Sequence, residues 1–132
     1  MIYLVIVLSI FSILPQDLPP LYVNSTNIYI EVFREPVEKM IVLFVGGTKL
    51  VVTNYVEELV VFPYKEMERE RLKYEDIVLV IHNHLAGAEP WFSRADISLY
   101  WWLRGQGFRG LFLIYLPDGK VLRFEGSANR RL

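Results

Sequence analysis

Both histidines of this chain stand two residues apart at the end of one apolar run. They are His82 and His84, they directly follow residues 77–81, and Ser93 and Asp96 come a short loop later. Alternate residues of a strand point to the same side, so both imidazoles can reach one point. Two neutral imidazoles and one carboxylate, with a further position open, form the ligand set of a catalytic zinc site.

The same residues also have a purely structural interpretation. Ser93 and Asp96 match a capping box, in which the serine caps a helix and the acidic residue bonds back to it. Two histidines at a strand end can simply lie on the surface. The placement of all four residues around one strand, loop and helix favours the metal site, and the capping interpretation stays open beside it.

A strand and a helix have to position these side chains. Residues 77–81 are all apolar, which is typical of a short strand buried on both faces of a sheet. Ser93 is expected to start a helix that runs to about Arg104 and is ended by Gly105 and Gly107.

Two β-hairpins are predicted around this unit. Residues 40–45 and 50–56 are apolar and β-branched, and the glycines at 46–47 supply the positive φ that a tight turn needs. Residues 111–125 predict a second hairpin, whose turn lies at residues 117–119.

The other segments give weaker patterns. Residues 27–33 fit a strand or the first part of a helix, and residues 59–62 fit a short strand. Residues 64–76 are rich in charged helix formers and predict a surface helix with Met67 and Leu72 turned inward. The mixed order of strands and helices predicts an α+β (α/β-like) class.

The composition limits the classes of protein to consider. A chain of 132 residues suits one domain, and 53% hydrophobic residues exclude a disordered protein. A formal net charge of −1 gives no basic surface for nucleic acid. The absence of cysteine excludes disulfides, thiolate metal sites and cysteine nucleophiles.

The first residues form a distinct apolar segment. Residues 1–15 contain no Lys or Arg, and the run is too short to cross a bilayer comfortably. It lacks the basic start and small-residue cleavage site of a secretory signal. We expect residues 1–20 to pack on a domain of residues 21–132 in a cytoplasmic protein, with a membrane anchor or an export signal as the alternative.

The histidine motif resembles a known family. The motif consists of an apolar strand, H-x-H, a short loop and S-x-x-D, and it is similar to the motif of the JAMM (MPN+) metalloproteases. The residues around it are also similar to those of RadC-type proteins. The resemblance covers about residues 25–125, including the order of the elements. Leu85 departs from the family, which usually has proline there. The resemblance implies a single MPN-type domain, with a mixed curved sheet flanked by helices in a cytidine-deaminase-like architecture.

The resemblance also implies roles for individual residues. His82, His84 and Asp96 would hold Zn²⁺, Glu38 would act as the general base, and Ser93 would donate a hydrogen bond to the oxyanion. Nearby glutamates that could replace Glu38 as the base are Glu35, Glu57 and Glu58.

The substrate implied by prokaryotic members is a peptide or isopeptide bond at the C-terminus of a ubiquitin-like modifier. Its extended tail would add as a strand beside the active-site sheet edge. Two alternatives are a metal-free MPN scaffold for protein contacts and a RadC-like protein linked to DNA metabolism, and the near-neutral charge disfavours the latter. A zinc deaminase would need cysteine ligands and is excluded.

Overall fold

The computed structural model describes residues 3–9, 33, 36–54, 62–126 and 129–131. In these ranges the chain forms a mixed sheet of seven strands and two α-helices, which confirms the α+β class. The strands are β1 (Tyr3–Ser9), β2 (Glu38–Phe44), β3 (Thr48–Asn54), β4 (Ile77–Asn83), β5 (Leu111–Tyr115), β6 (Val121–Phe124) and β7 (Asn129–Arg131). The helices are α1 (Tyr64–Arg69) and α2 (Arg94–Gln106), and a 3₁₀ turn (Tyr74–Asp76) precedes β4.

The strand that carries the histidines lies in the middle of the sheet. The spatial order is β1-β3-β2-β4-β5-β6-β7, and every neighbouring pair is antiparallel except β4 and β5, which are parallel. A parallel pair needs a long crossover connection, and α2 provides it. Because β2 and β5 flank β4, the edges of the described sheet lie at β1 and β7.

Both predicted hairpins are confirmed. β2 and β3 pair in an antiparallel register, and Gly46 and Gly47 between them have φ values of 92° and 97°. β5 and β6 pair in the same manner around Gly119, whose φ is 88°. These positive φ values are strained for residues with a side chain, which explains why glycine occupies the turns.

The two predicted helices differ from the observed ones at their ends. α1 stops at Arg69 and Arg71 takes a left-handed φ of 56°, so the segment to residue 76 is not one helix. Met67 is buried as predicted, and Leu72 packs against the core.

The end of α2 also lies beyond its predicted position. The helix continues through Gln106, so Gly105 lies inside it and does not end it. Gly107 ends the helix. It has a left-handed φ of 114°, and its N–H donates a hydrogen bond to the Arg104 carbonyl. A single glycine is tolerated inside a helix whose other side chains pack against a core.

Apolar side chains cover both faces of the sheet. One face packs against the two helices. Its buried strand residues include Met40, Val42, Val80, Phe112 and Ile114, and the helix residues of the same core include Met67, Tyr100 and Leu103. The buried apolar residues of the other face include Ile41, Leu43, Val51, Leu79, Ile81 and Leu113. Because side chains alternate along β4, His82 shares the helix-covered face with Val80.

Several predicted features lie outside the described residues. These are residues 27–32 and 59–61 and the three alternative glutamates, Glu35, Glu57 and Glu58. Part of the apolar N-terminal segment is described, since β1 pairs along its length with β3 at one edge of the sheet. Among the described helices, none has the length and apolar character needed to cross a membrane.

Candidate metal centre

The end of β4 brings the two imidazoles together. His82 lies within the strand, opposite Met40 of β2 and Ile114 of β5. His84 follows the strand, and its backbone N–H donates to the Tyr115 carbonyl at 3.0 Å. The two rings therefore lie on the same face, with centroids 5.1 Å apart, as the spacing of the motif predicted.

Three side chains converge on one point. His82 Nε2 lies 3.0 Å from Asp96 Oδ1, His84 Nε2 lies 3.1 Å from Asp96 Oδ2, and the two Nε2 atoms are 3.2 Å apart. Ligand atoms placed tetrahedrally at about 2.0–2.1 Å from a zinc ion are themselves about 3.3 Å apart. The group therefore has the ligand types and nearly the spacing that a metal ion requires, and it could hold one.

A backbone carbonyl fixes the orientation of His84. His84 Nδ1 lies 2.8 Å from the Glu89 carbonyl oxygen, which can only accept a hydrogen bond. Nδ1 therefore carries a proton, and Nε2 is the ring nitrogen that points toward His82 and Asp96. Metal-binding histidines are commonly held in this way by a partner of the second ring nitrogen. His82 Nδ1 is buried and has no such partner among the described residues.

Asp96 serves the helix and the candidate metal site with one carboxylate. Ser93 Oγ accepts the Asp96 backbone N–H at 3.1 Å, and the Ser93 backbone N–H donates to Asp96 Oδ2 at 2.8 Å. This reciprocal pair is the predicted capping box at the start of α2. The capping interpretation is confirmed, and it does not exclude the metal interpretation because it holds the carboxylate beside the histidines.

The electrostatics of the group favour a positive charge at its centre. Burial alone would raise the pKa of Asp96, but hydrogen bonds from His82 and His84, the charge of His82 and the Ser93 N–H hold this pKa well below its usual range. Burial of His84 opposes its charging, but its bonds to Asp96 and to the Glu89 carbonyl raise the pKa, helped by the charges of Asp96 and Glu38. A buried carboxylate needs compensation by hydrogen bonds or positive charge, and the directions of both pKa shifts favour positive charge beside Asp96.

The group lies on the wall of a cavity. The cavity has a volume of about 550 Å³, which is within the range of ligand sites. Glu38 and Ser93 line it together with the three candidate ligands. Its apolar wall is formed mainly by Met40, Phe62, Tyr64, Trp91 and Leu99.

The strand register explains how Glu38 reaches this cavity. β2 and β4 are antiparallel, and Met40 lies opposite His82. Glu38 comes two residues before Met40 in β2, so its side chain lies on the same face as that of Met40. The effect of the Glu38 charge on the pKa of His84 agrees with this placement. All five candidate site residues therefore meet at one cavity.

Two groups at the site were not predicted from the sequence. The Glu89 carbonyl is a backbone group, so the residue type gives no signal for it. Asn83 has a side chain that binds the start of β2, where it contacts the backbone of Val37 and Lys39. Its signal is an asparagine in a central strand, a position where this residue type is depleted.

Comparison of the chain with protein-family models, with curated proteins and with solved structures finds no match. What the fold and the site define is a mixed α+β domain with a His-His-Asp group that could hold a metal ion.

Proposed function

We propose that the protein is a zinc-dependent hydrolase of the JAMM (MPN+) type, acting on peptide or isopeptide bonds at the C-terminus of a ubiquitin-like modifier. The observation that carries the proposal is the convergence of His82, His84 and Asp96 within 3.0–3.2 Å at a cavity wall. Three protein ligands leave a position for water or substrate, as catalytic zinc sites do. The order hairpin, helix, histidine strand, helix, hairpin supports the MPN-type architecture.

The neighbours of the group favour hydrolysis over oxidation. Two histidines and one carboxylate also hold ferrous iron in oxygenases, so the ligand types alone do not select the reaction. Hydrolysis of an amide needs a group that accepts a proton and a donor for the developing oxyanion. Glu38 and Ser93 line the same cavity and have these two capacities.

Each residue has a distinct part in the proposed mechanism. His82, His84 and Asp96 would hold the zinc ion, which would supply the Lewis acidity that makes water a nucleophile at neutral pH. Glu38 accepts the proton of the attacking water and delivers it to the leaving amine. Ser93 Oγ accepts the Asp96 N–H, and its own hydrogen remains available to donate to the oxygen that becomes negatively charged.

The cavity also supports a rationale for the substrate. Since β4 has no free edge, an extended tail would lie in the cavity and not as the next strand of the sheet. Glu38, Glu89 and Asp96 are the charged side chains that line the cavity besides the histidines, and no Lys or Arg lines it among the described residues. A neutral or basic segment therefore fits this cavity better than an acidic one.

Metal analysis together with a cleavage assay tests the proposal. Wild-type protein supplied with zinc should retain about one ion per chain, while His82→Ala leaves two protein ligands and should lose it. The substrate is a ubiquitin-like modifier joined through its C-terminus to a lysine, and a chelator should stop its cleavage until zinc is restored. The exposed Lys120→Gln is the control variant. Retention of iron alone, or of no metal, would refute the zinc hydrolase.

A further inference from the structure

Asn83 stands between the two histidines, but its side chain lies on the other face of the sheet. Successive residues of a strand alternate between faces, so Asn83 points away from His82 and His84. The side chain is buried, with 4% of the residue exposed. A buried carboxamide needs hydrogen-bond partners, and the partners of Asn83 define what it does.

Both partners are backbone groups of β2 and the residue before it. The Lys39 N–H donates to Asn83 Oδ1 at 2.7 Å, and Asn83 Nδ2 donates to the Val37 carbonyl at 3.0 Å. These two groups lie on either side of Glu38 in the chain. The carboxamide therefore bonds to the backbone on both sides of Glu38, from the face of the sheet opposite to the cavity.

The two hydrogen bonds of Asn83 lie where the ladder between β2 and β4 ends. The last pair of the ladder is Met40 with His82, and the next pair in the same register would be Lys39 with Asn83. At that position the side chain of Asn83 bonds to β2 in place of backbone groups. Strand ends open more easily than strand centres, and the two bonds of Asn83 tie this end of β2 to β4.

We propose that Asn83 is a positioning residue for Glu38, setting its carboxylate at the cavity from the opposite face of the sheet. This inference rests on the proposed function, in which Glu38 moves the proton. The residue type fits the contacts, because an amide side chain offers an acceptor oxygen to the Lys39 N–H and, on a separate atom, a donor to the Val37 carbonyl. Aspartate has no donor for that carbonyl, and an apolar residue satisfies neither group.

The first test is a double-mutant cycle between Asn83 and Glu38. Asn83→Ala should keep its zinc, because all three ligands remain, and should lower kcat by about 10–10²-fold through misplacement of Glu38, with little change in KM. In a Glu38→Gln background the same change should have no further effect on kcat, since the group that Asn83 positions has already lost its function.

A matched variant separates positioning from general destabilisation. Ile81→Val shortens a buried side chain on the same strand and the same face, at a position paired with Ile41 of β2. It should lower the free energy of unfolding while leaving kcat unchanged. Asn83→Asp, which keeps the shape and the acceptor, is the second variant in case Asn83→Ala fails to fold, and it should show the same pattern in the cycle.

A second measurement needs no substrate. The visible spectrum of the cobalt-substituted protein changes as a group bound to the metal loses a proton, and a nearby carboxylate raises the midpoint of that change. Glu38→Gln should therefore lower the midpoint. Asn83→Ala should shift it in the same direction, and Ile81→Val should not move it.

The outcomes distinguish this inference from the proposed function. Effects of Asn83 and Glu38 that add in the cycle, or a cobalt midpoint that Asn83→Ala leaves unchanged, would overturn the role of Asn83 alone. A shifted midpoint in a protein whose wild type cleaves no modifier would overturn the proposed substrate and leave the positioning role standing. A protein that binds neither cobalt nor zinc would overturn both.

Discussion

Ser93 and Asp96 are joined by two hydrogen bonds. The Asp96 N–H donates to Ser93 Oγ at 3.1 Å, and the Ser93 N–H donates to Asp96 Oδ2 at 2.8 Å. The same Asp96 oxygen lies 3.1 Å from His84 Nε2. The start of α2 thus fixes the one anionic group of the candidate metal site. Because Asp96 Oδ2 belongs to both arrangements, the stability of the helix start and the geometry of the site depend on the same residues.

Replacements of Ser93 should separate its capping role from its catalytic role. Loss of a serine cap to alanine costs about 0.5–2 kcal/mol of stability, whereas loss to glycine costs only about a few tenths. Both Ser93→Ala and Ser93→Gly remove the hydroxyl, and loss of one oxyanion donor lowers kcat by about 10²–10³-fold. Denaturant unfolding and the cleavage assay measure the two effects. If Ser93→Gly cleaves like the wild type, Ser93 acts only as a cap.

Glu38→Gln and Asp96→Asn should have different effects on metal content. Glu38→Gln leaves all three ligands in place, so zinc stays near one per chain while cleavage falls by about 10²–10⁴-fold, the usual contribution of a positioned acid or base. Asp96→Asn removes the anionic ligand and should lose metal and activity together. Metal content and rate are measured on the same samples.

Undiminished cleavage by Glu38→Gln would show that another residue is the base. The residues to replace next are Glu35, Glu57 and Glu58. Full activity in all four variants would contradict the mechanism.

Two glycines near α2 should respond in opposite ways to alanine. A Cβ added to Gly110 would lie 2.5 Å from the Val78 carbonyl oxygen and 2.8 Å from that of Ile77, so the loop could not stay close to β4. Gly110→Ala should therefore destabilise the protein by roughly 1–3 kcal/mol, the usual cost of overpacking. Thermal or denaturant unfolding measures the change.

Gly105→Ala is the matched control for this substitution. Gly105 lies inside α2, and nothing stands within 4 Å of its added Cβ. Alanine should raise the stability by about 0.5–1 kcal/mol, because glycine is the poorer residue inside a helix. Equal effects of the two substitutions would contradict the close approach between Gly110 and β4.

The sequence was sufficient for the features that local patterns determine. Short-range spacing correctly predicted that His82 and His84 point to the same face of the sheet. It also correctly predicted the capping box of Ser93 and Asp96. The predicted end of α1 at residue 76 was wrong, because helix propensity carries no signal for the left-handed backbone at Arg71.

Relationships between distant segments could not be predicted in this way. Asn83 bonds to Lys39 and Val37 across 44 and 46 residues of sequence, and no local pattern pairs them. The central place of β4 follows from the order of strands in space, which the sequence leaves open among several topologies.

The metal-free protein should lose stability as the pH rises above the ordinary His84 pKa of 6.5. A group whose pKa is raised by folding stabilises the folded state fully below its unfolded pKa, and this contribution disappears as the pH passes the folded value. Metal-free wild type should therefore show a falling free energy of unfolding above pH 6.5, and metal-free His84→Gln should show a smaller fall. Zinc should reverse the trend, because it would bind the neutral imidazole and compete with the proton. Unfolding curves across this pH range, with zinc and with chelator, measure both slopes. Parallel slopes for the wild type and His84→Gln without metal would contradict the coupling of His84 to Asp96.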